Sequence, residues 1–313
     1  MKIISHILES NWFHNKPPVL IDIGASGEIN AKWKPIAKYA VCLAFDADDR
    51  EFNVSEKSNS GYLRLITINR IVTAQPTPST HFYLTKSPFC SSLLQPNAAK
   101  LQPWNFSPLF TVEKKISLPA ITVAEALAQA GQTYIDWFKT DTQGTDLRLF
   151  QSLPDEIRNQ ILAAEFEPGI IDAYDGEDKL FSILKQLPEE GFWLSTMDVK
   201  GTQRINHAYS SQFGQYMSER IVRRSPCWSE LTYLKNPTTQ NERSLLLLYV
   251  FAMLERQYGF ALEIADKAKA LYKDNIFNDC HAAAMARLKG EKWKLPLVMA
   301  KKQFNKLFAK VNA

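Results

Sequence analysis

The chain lacks the marks of several protein classes. Its four cysteines (Cys42, Cys90, Cys227, Cys280) lie far apart, with no C-x-x-C spacing. That speaks against a zinc or disulfide framework, and reduced thiols in a cytosolic protein are expected. No apolar run is long: Leu245 to Leu254, ten residues, is the longest. A bilayer span needs about 20 residues, so this run reads as a core helix. The N-terminal stretch carries Glu9 and His14 and no long apolar core, so no signal peptide is expected. A net charge of +4 is too small to argue for nucleic acid, and no basic patch is interleaved with aromatics.

What is present fits a folded protein. With 313 residues, 45% hydrophobic and 22% charged, the chain is long enough for one large domain and a smaller addition. Its organisation reads outward from Val19 to Glu28. An apolar run (Val19 to Ile23) leads into Gly24-Ala25-Ser26-Gly27-Glu28, and a helix is expected over 30–39. This is the pattern of a buried strand, a glycine turn and a helix start. A second apolar run, Val41 to Phe45, ends on Asp46, 22 positions after Gly24. An acid at that distance, at the end of the second strand, is placed to bind a ribose hydroxyl pair.

The loop does not match G-x-G-x-x-G, because it offers only Gly24 and Gly27. Glu28 near the helix start would repel a pyrophosphate, which needs bare N–H groups and positive potential. A cationic nucleoside without phosphate fits better, and S-adenosylmethionine is such a molecule. An ordinary α/β turn that binds nothing has the same local look.

Residues 1–16 read as a short amphipathic helix ending before Pro17 and Pro18. Residues 62–73 read as one strand merging into another, and His81 to Thr85 as a further strand. The stretch 87–108 is rich in Ser, Pro, Asn and Gln and reads as a long functional loop. After a helix over 121–130, a strand stops at Asp141, followed by a Gly144 turn and another helix. Residues 161–166 form a strand ending near Glu165 and Glu167; a helix, a strand at 191–194 and a last strand at 220–223 follow. Strands alternating with helices imply a mostly parallel sheet, with ligands at the strands' carboxyl ends. From about Pro237 no strand signal remains, and a helical hairpin is expected over 241–273. Residues 289–313 hold seven lysines and one acid, a net +6. A basic amphipathic helix there would dock a partner or an anionic membrane surface, or else present a solvated basic face. The domains are therefore 1–16, 17–236 and 237–313.

Several blocks in this order resemble the FkbM family of S-adenosylmethionine-dependent methyltransferases. They are Ile21-Asp22-Ile23-Gly24-Ala25-Ser26-Gly27, Ala44-Phe45-Asp46-Ala47-Asp48, Cys90-Ser91-Ser92-Leu93, Phe138-Lys139-Thr140-Asp141-Thr142-Gln143-Gly144-Thr145-Asp146, Ala164-Glu165-Phe166-Glu167 and Gly191-Phe192-Trp193-Leu194. Lys-x-Asp-x-Gln-Gly is the most specific, and the likeness covers roughly residues 17–225. Two positions depart: Asp46-Ala47 stands where the family has Glu-Pro, and Asp146 where it has Glu. Both keep the carboxylate with a shorter reach. The resemblance implies a Rossmann-like class I methyltransferase fold with a seven-stranded sheet. It also implies O-methylation of a sugar, glycolipid or secondary-metabolite hydroxyl. Gly24, Ala25, Ser26 and Gly27 would cradle the cofactor's methionine part, with Asp22 anchoring that loop. Asp46 beside Ala47 would take the ribose.

Methyl transfer to oxygen is an in-line displacement in which positioning does much of the work. A neutral hydroxyl must also lose its proton to a carboxylate or histidine. Asp141 is the first candidate, with the alternatives that it binds the cofactor's ammonium or caps a helix. Glu165 and Glu167 follow; Glu167 has the alternative of pairing with Lys139. His81 reads better as a sheet residue. Ser91 and Ser92 either contact ligand or form a turn. Asp141, Glu165 and Glu167 offer hard oxygen ligands, yet their spacing does not require a metal and none is expected. A base methyltransferase is disfavoured by Asp141-Thr142-Gln143-Gly144 where an Asn/Asp-Pro-Pro-aromatic block would stand, and a nicotinamide oxidoreductase by Glu28. A non-catalytic nucleoside-binding or scaffold protein on the same fold is the alternative kept. The expected location is cytoplasmic, peripheral at the inner membrane surface if the tail docks there.

Overall fold

The computed structural model describes residues 2–24, 29–46, 61–238 and 241–293. The chain divides into two units, residues 11–236 and residues 1–10 with 237–313. The helix expected over 1–16 is two helices. The first, α1 (Lys2–Leu8), groups with the C-terminal residues, and the second, α2 (Asn11–Asn15), opens the larger unit.

In that larger unit, β1 (Val19–Ile23) and β2 (Val41–Phe45) are buried at every position, with β3 (Arg64–Ile68) beside β2. Strands covered on both faces read as continuous apolar runs, which is why the sequence marks them. The helix expected between β1 and β2 is instead two 3-10 turns, Ala31–Trp33 and Ala37–Tyr39. Pro35 stands between them and has no N–H to extend a helical ladder. Asn30 caps the first turn by accepting the Lys32 N–H at 3.1 Å.

A small sheet follows, formed by β4 (Ile71–Val72), β5 (Ser79–Thr85) and β6 (Val112–Ile121) in the order β4-β6-β5. The stretch read as an unstructured loop carries α3 (Ala98–Leu101) and 3-10 turns at Pro88–Cys90 and Ser107–Phe110. The next helix, α4 (Val123–Ala130), opens with a reciprocal capping box between Thr122 and Glu125 and closes on left-handed Gly131.

The main sheet continues with β7 (Trp137–Thr140), then α5 (Asp146–Gln151), α6 (Asp155–Arg158) and β8 (Ala163–Phe166). After them come α7 (Leu180–Glu189), β9 (Phe192–Gln203), α8 (His207–Phe213), α9 (Gln215–Ile221) and β10 (Arg224–Lys235). The last strand is therefore not at 220–223: Arg220 and Ile221 close α9, and the strand begins at Arg224. Among the described residues the protein is α/β, with a seven-stranded sheet in the order β3-β2-β1-β7-β8-β10-β9. The first five strands are parallel; β10 runs antiparallel to β8 and β9. Phe138, Phe150, Phe166, Phe192 and Tyr233 meet mostly edge to face in its core. The chain steps from β1 outward to β2 and β3, then returns to place β7 on the other side of β1. That reversal is a topological switch point.

The other unit holds α1 with α10 (Glu242–Leu254), α11 (Tyr258–Leu271) and α12 (Ile276–Lys292). Leu245 to Met253 are all buried in α10, and the Tyr249 hydroxyl donates to the Cys280 carbonyl at 2.6 Å. No described helix is long and apolar enough to cross a membrane. Most of the lysine-rich tail, residues 294–313, lies outside the described residues.

Candidate functional site

A cleft of about 450 Å³ opens at the carboxyl ends of β1, β2, β7 and β8. Its size is that of a small-molecule site, and it sits at the switch point. Gly24, Asp46, Asp141 and Glu167, each just past a strand end, line one part of it. Gly24 takes φ +81, and a Cβ there would stand 2.1 Å from the Asp141 carbonyl oxygen. The Asp141 N–H in turn donates to the Ile23 carbonyl at 2.9 Å, and the Gly24 N–H to the Phe45 carbonyl at 2.9 Å. The first glycine therefore lets the ends of β1 and β7 close on each other.

The block around Asp141 is a hydrogen-bonded turn in which each polar side chain has a task. Gln143, in a left-handed conformation (φ 57), donates from Nε2 to Asp141 Oδ1 at 2.8 Å. Its Oε1 accepts the Tyr174 hydroxyl at 3.2 Å, and that hydroxyl also reaches the Cys90 carbonyl at 2.8 Å. Asp146 is wholly buried. Its Oδ1 accepts from Thr140 Oγ1 (2.8 Å), Thr142 N (3.0 Å) and Thr142 Oγ1 (3.0 Å). Burial, then the charge of Asp141, push its carboxyl up to about 7 against those hydrogen bonds. Asp146 thus holds the turn and is not among the residues that line the cleft.

Asp141 and Glu167 form the titratable centre. Burial raises the Asp141 carboxyl, opposed by Lys139 and by hydrogen bonds from Gln143 and Glu167. Burial first, and the Asp141 charge next, push Glu167 up to about 9. The two carboxyls are hydrogen-bonded to each other and both are raised, which favours a proton held between them. Lys139 does not pair with Glu167. Its ammonium lies 2.5 Å from Asp22 Oδ1, and Asp22 Oδ2 accepts the Asn30 N–H at 3.1 Å. Burial disfavours the Lys139 charge, but Asp22 and Asp141 outweigh it and raise the amine.

The other residues singled out from the sequence fall in different places. Glu165 does not line the cleft; register places it beside Lys139, and it accepts from Asn30 Nδ2 at 3.1 Å and Lys32 Nζ at 3.2 Å. Ser91 lines the cleft and accepts the Thr85 N–H at 3.1 Å. Ser92 is buried and ties its loop to the turn, donating to the Gln143 carbonyl at 2.9 Å. His81 is exposed on β5. Ala25, Ser26, Gly27 and Ala47 lie outside the described residues. All four cysteines are buried free thiols, and among the described residues no group of acids, histidines and cysteines is arranged to hold a metal ion.

The far wall of the cleft is aromatic, and of Phe106, Phe110, Tyr174 and Trp228 only Phe106 lies in the 87–108 stretch that reads as a functional loop. Phe106 stacks on Trp228 with centroids 6.2 Å apart, and Phe110 meets Tyr174 edge-on at 5.6 Å. Glu177 also borders the cleft, but Lys179 and the N–H groups of Ala173 and Tyr174 already hold it. Arg70 is exposed at the margin. The site therefore combines a carboxylate-rich end with an aromatic end, suited to a cationic polar group joined to a flat or apolar one.

A comparison with protein-family models finds no match to this chain, and a comparison with curated proteins finds none either.

Proposed function

We propose that this protein is an S-adenosylmethionine-dependent O-methyltransferase of the FkbM kind, with the class I methyltransferase fold. Its acceptor is a hydroxyl of a sugar, glycolipid or secondary metabolite. The observation that carries this reading is the meeting of the two resembling blocks: Gly24 and Asp141 lie in contact at the switch point of the sheet. Three features of the cleft support this cofactor. A glycine stands where any Cβ would collide, a carboxylate follows β2, and among the described residues lining the cleft acidic side chains outnumber arginine. Such a site favours a sulfonium cation over a pyrophosphate.

Gly24 and Asp46 would hold the cofactor, with Asp141 facing its positive part. When bound, S-adenosylmethionine supplies an electrophilic methyl group. The chain's own residues supply the rest. Asp141 would accept the acceptor's proton: Lys139 and the hydrogen bonds from Gln143 and Glu167 favour its charged form, whereas the Asp141 charge disfavours that of Glu167. Gln143, itself fixed by Tyr174, orients the Asp141 carboxylate. The aromatic wall excludes water from the reacting groups and packs the acceptor.

The test is transfer of labelled methyl from S-adenosylmethionine to sugar, glycolipid and small-molecule hydroxyl acceptors, with wild type and Asp141→Asn. Transfer reduced by about 10²-fold or more in the variant is the expected result. Transfer by neither protein, or equally by both, would contradict the reading.

A further inference from the structure

The two short helices between β9 and β10 are built inside out. One serine of each faces inward: Ser210 and Ser218 are buried, while Ser211 is exposed, and Ser210 Oγ donates to Asn105 Oδ1 at 2.5 Å. Their large apolar side chains face solvent. Tyr209, Phe213, Tyr216, Met217 and Ile221 are each 50–66% exposed. Tyr209 and Phe213 are four apart on α8, and Met217 and Ile221 four apart on α9, so each pair shares a helix side. A helix with no partner does the reverse, and a concentration of exposed large apolar side chains marks an interaction surface.

Charge identifies the partner. Residues 204–224 hold Arg204, Arg220, Arg223 and Arg224 against the single acid Glu219, and all four arginines are exposed. The Arg220 guanidinium lies 3.4 Å from the Tyr216 ring centroid, holding a cation beside an amphipathic aromatic. Apolar and tyrosine side chains bordered by arginine are the composition of a segment lying at an anionic lipid interface. A second copy fits poorly, because a two-fold contact would set this basic face against itself.

We propose that α8 and α9 dock the protein on the surface of an anionic lipid bilayer, with Tyr209, Phe213, Met217 and Ile221 entering the headgroup region. The helices are braced against a loop that reaches the cleft. The Asn105 N–H donates to the Gln203 carbonyl at 3.1 Å, and Asn206 Nδ2 to the Gln102 carbonyl at 3.2 Å. Phe106 in that loop stacks on Trp228 in the aromatic wall. Docking therefore brings the aromatic end of the cleft near the lipid layer. The surface contact does not depend on the reaction proposed above.

Flotation of the full chain with vesicles tests this, using pure phosphatidylcholine and equimolar phosphatidylcholine–phosphatidylglycerol. Wild type is expected to float with the anionic vesicles only. A Tyr209→Ser, Phe213→Ser, Met217→Ser, Ile221→Ser variant is expected to bind about tenfold more weakly or less. If that variant does not fold, Arg220→Gln with Arg223→Gln decides, with an expected loss of about fivefold or more at low salt. Three results would overturn the proposal: no flotation of wild type, equal flotation of the variants (so that the lysine-rich end of the chain carries the binding), or a wild-type dimer by light scattering that the serine variant converts to monomer.

Discussion

A Cβ on Gly24 would stand 2.1 Å from the carbonyl oxygen of Asp141, 117 residues further along the chain. This one clearance joins the two sequence blocks into one site. Gly24→Ala adds both that collision and an L side chain at φ +81. The backbone must then move apart between β1 and β7. The expected cost is about 3 kcal/mol or more in urea unfolding, with the cleft disrupted in whatever fraction stays folded. A change below about 1 kcal/mol would contradict the close approach.

Asp22 and Lys139 form an ion pair in which the carboxylate is fully buried and the ammonium largely so. Asp22→Asn removes the partner that outweighs the desolvation of Lys139 and weakens the hold on the Asn30 N–H. Breaking one side of a buried pair costs about 3–5 kcal/mol, and chemical denaturation should read a loss near that range. Lys139 keeps Asp141 and Glu165 nearby, which favours the lower end.

Glu167 makes stability fall as pH rises. Its carboxyl is raised from 4.5 to about 9 by burial first and by Asp141 next. Between those values the folded chain holds a proton that the unfolded chain has released. The stabilisation is complete below 4.5, is lost progressively toward 9, and changes no further above it. Glu167→Gln keeps the neutral hydrogen-bonding group and cannot ionise. Its stability relative to wild type should therefore rise steadily across that window. Thermal melts of both proteins over a pH series check the slope; a flat or opposite trend would contradict the assignment.

Much of the main sheet was legible because β1 and β2 are buried at every position and β7 and β8 at three of four, so that each parallel strand is marked by consecutive apolar residues. The missed strands are of the other kind. The first half of β6 is exposed and carries Glu113, Lys114 and Lys115. In β10, Pro226 and alternating polar residues mask a long antiparallel strand, and a strand was expected in its place at residues that close α9. Within the site, Gly24, Asp46 and Asp141 could be found because each follows a strand end. Glu165 and Glu167 are two residues apart, and the distinction between them needs the tertiary neighbours: Lys32 and Asn30 claim the first, Asp141 the second. Tyr174 and Trp228 come from segments with no local signal of function, Phe106 from the long loop read as functional, and the three meet only in the folded chain.

The most direct test of the central claim is calorimetric titration of the full chain with S-adenosylmethionine, wild type beside Asp46→Ala. Binding in the micromolar range, weakened about 10- to 100-fold in the variant, is the predicted result for a carboxylate that accepts ribose hydroxyls. No heat of binding from folded wild type, or equal affinity in both proteins, would contradict the proposed cofactor site at the ends of β1, β2 and β7.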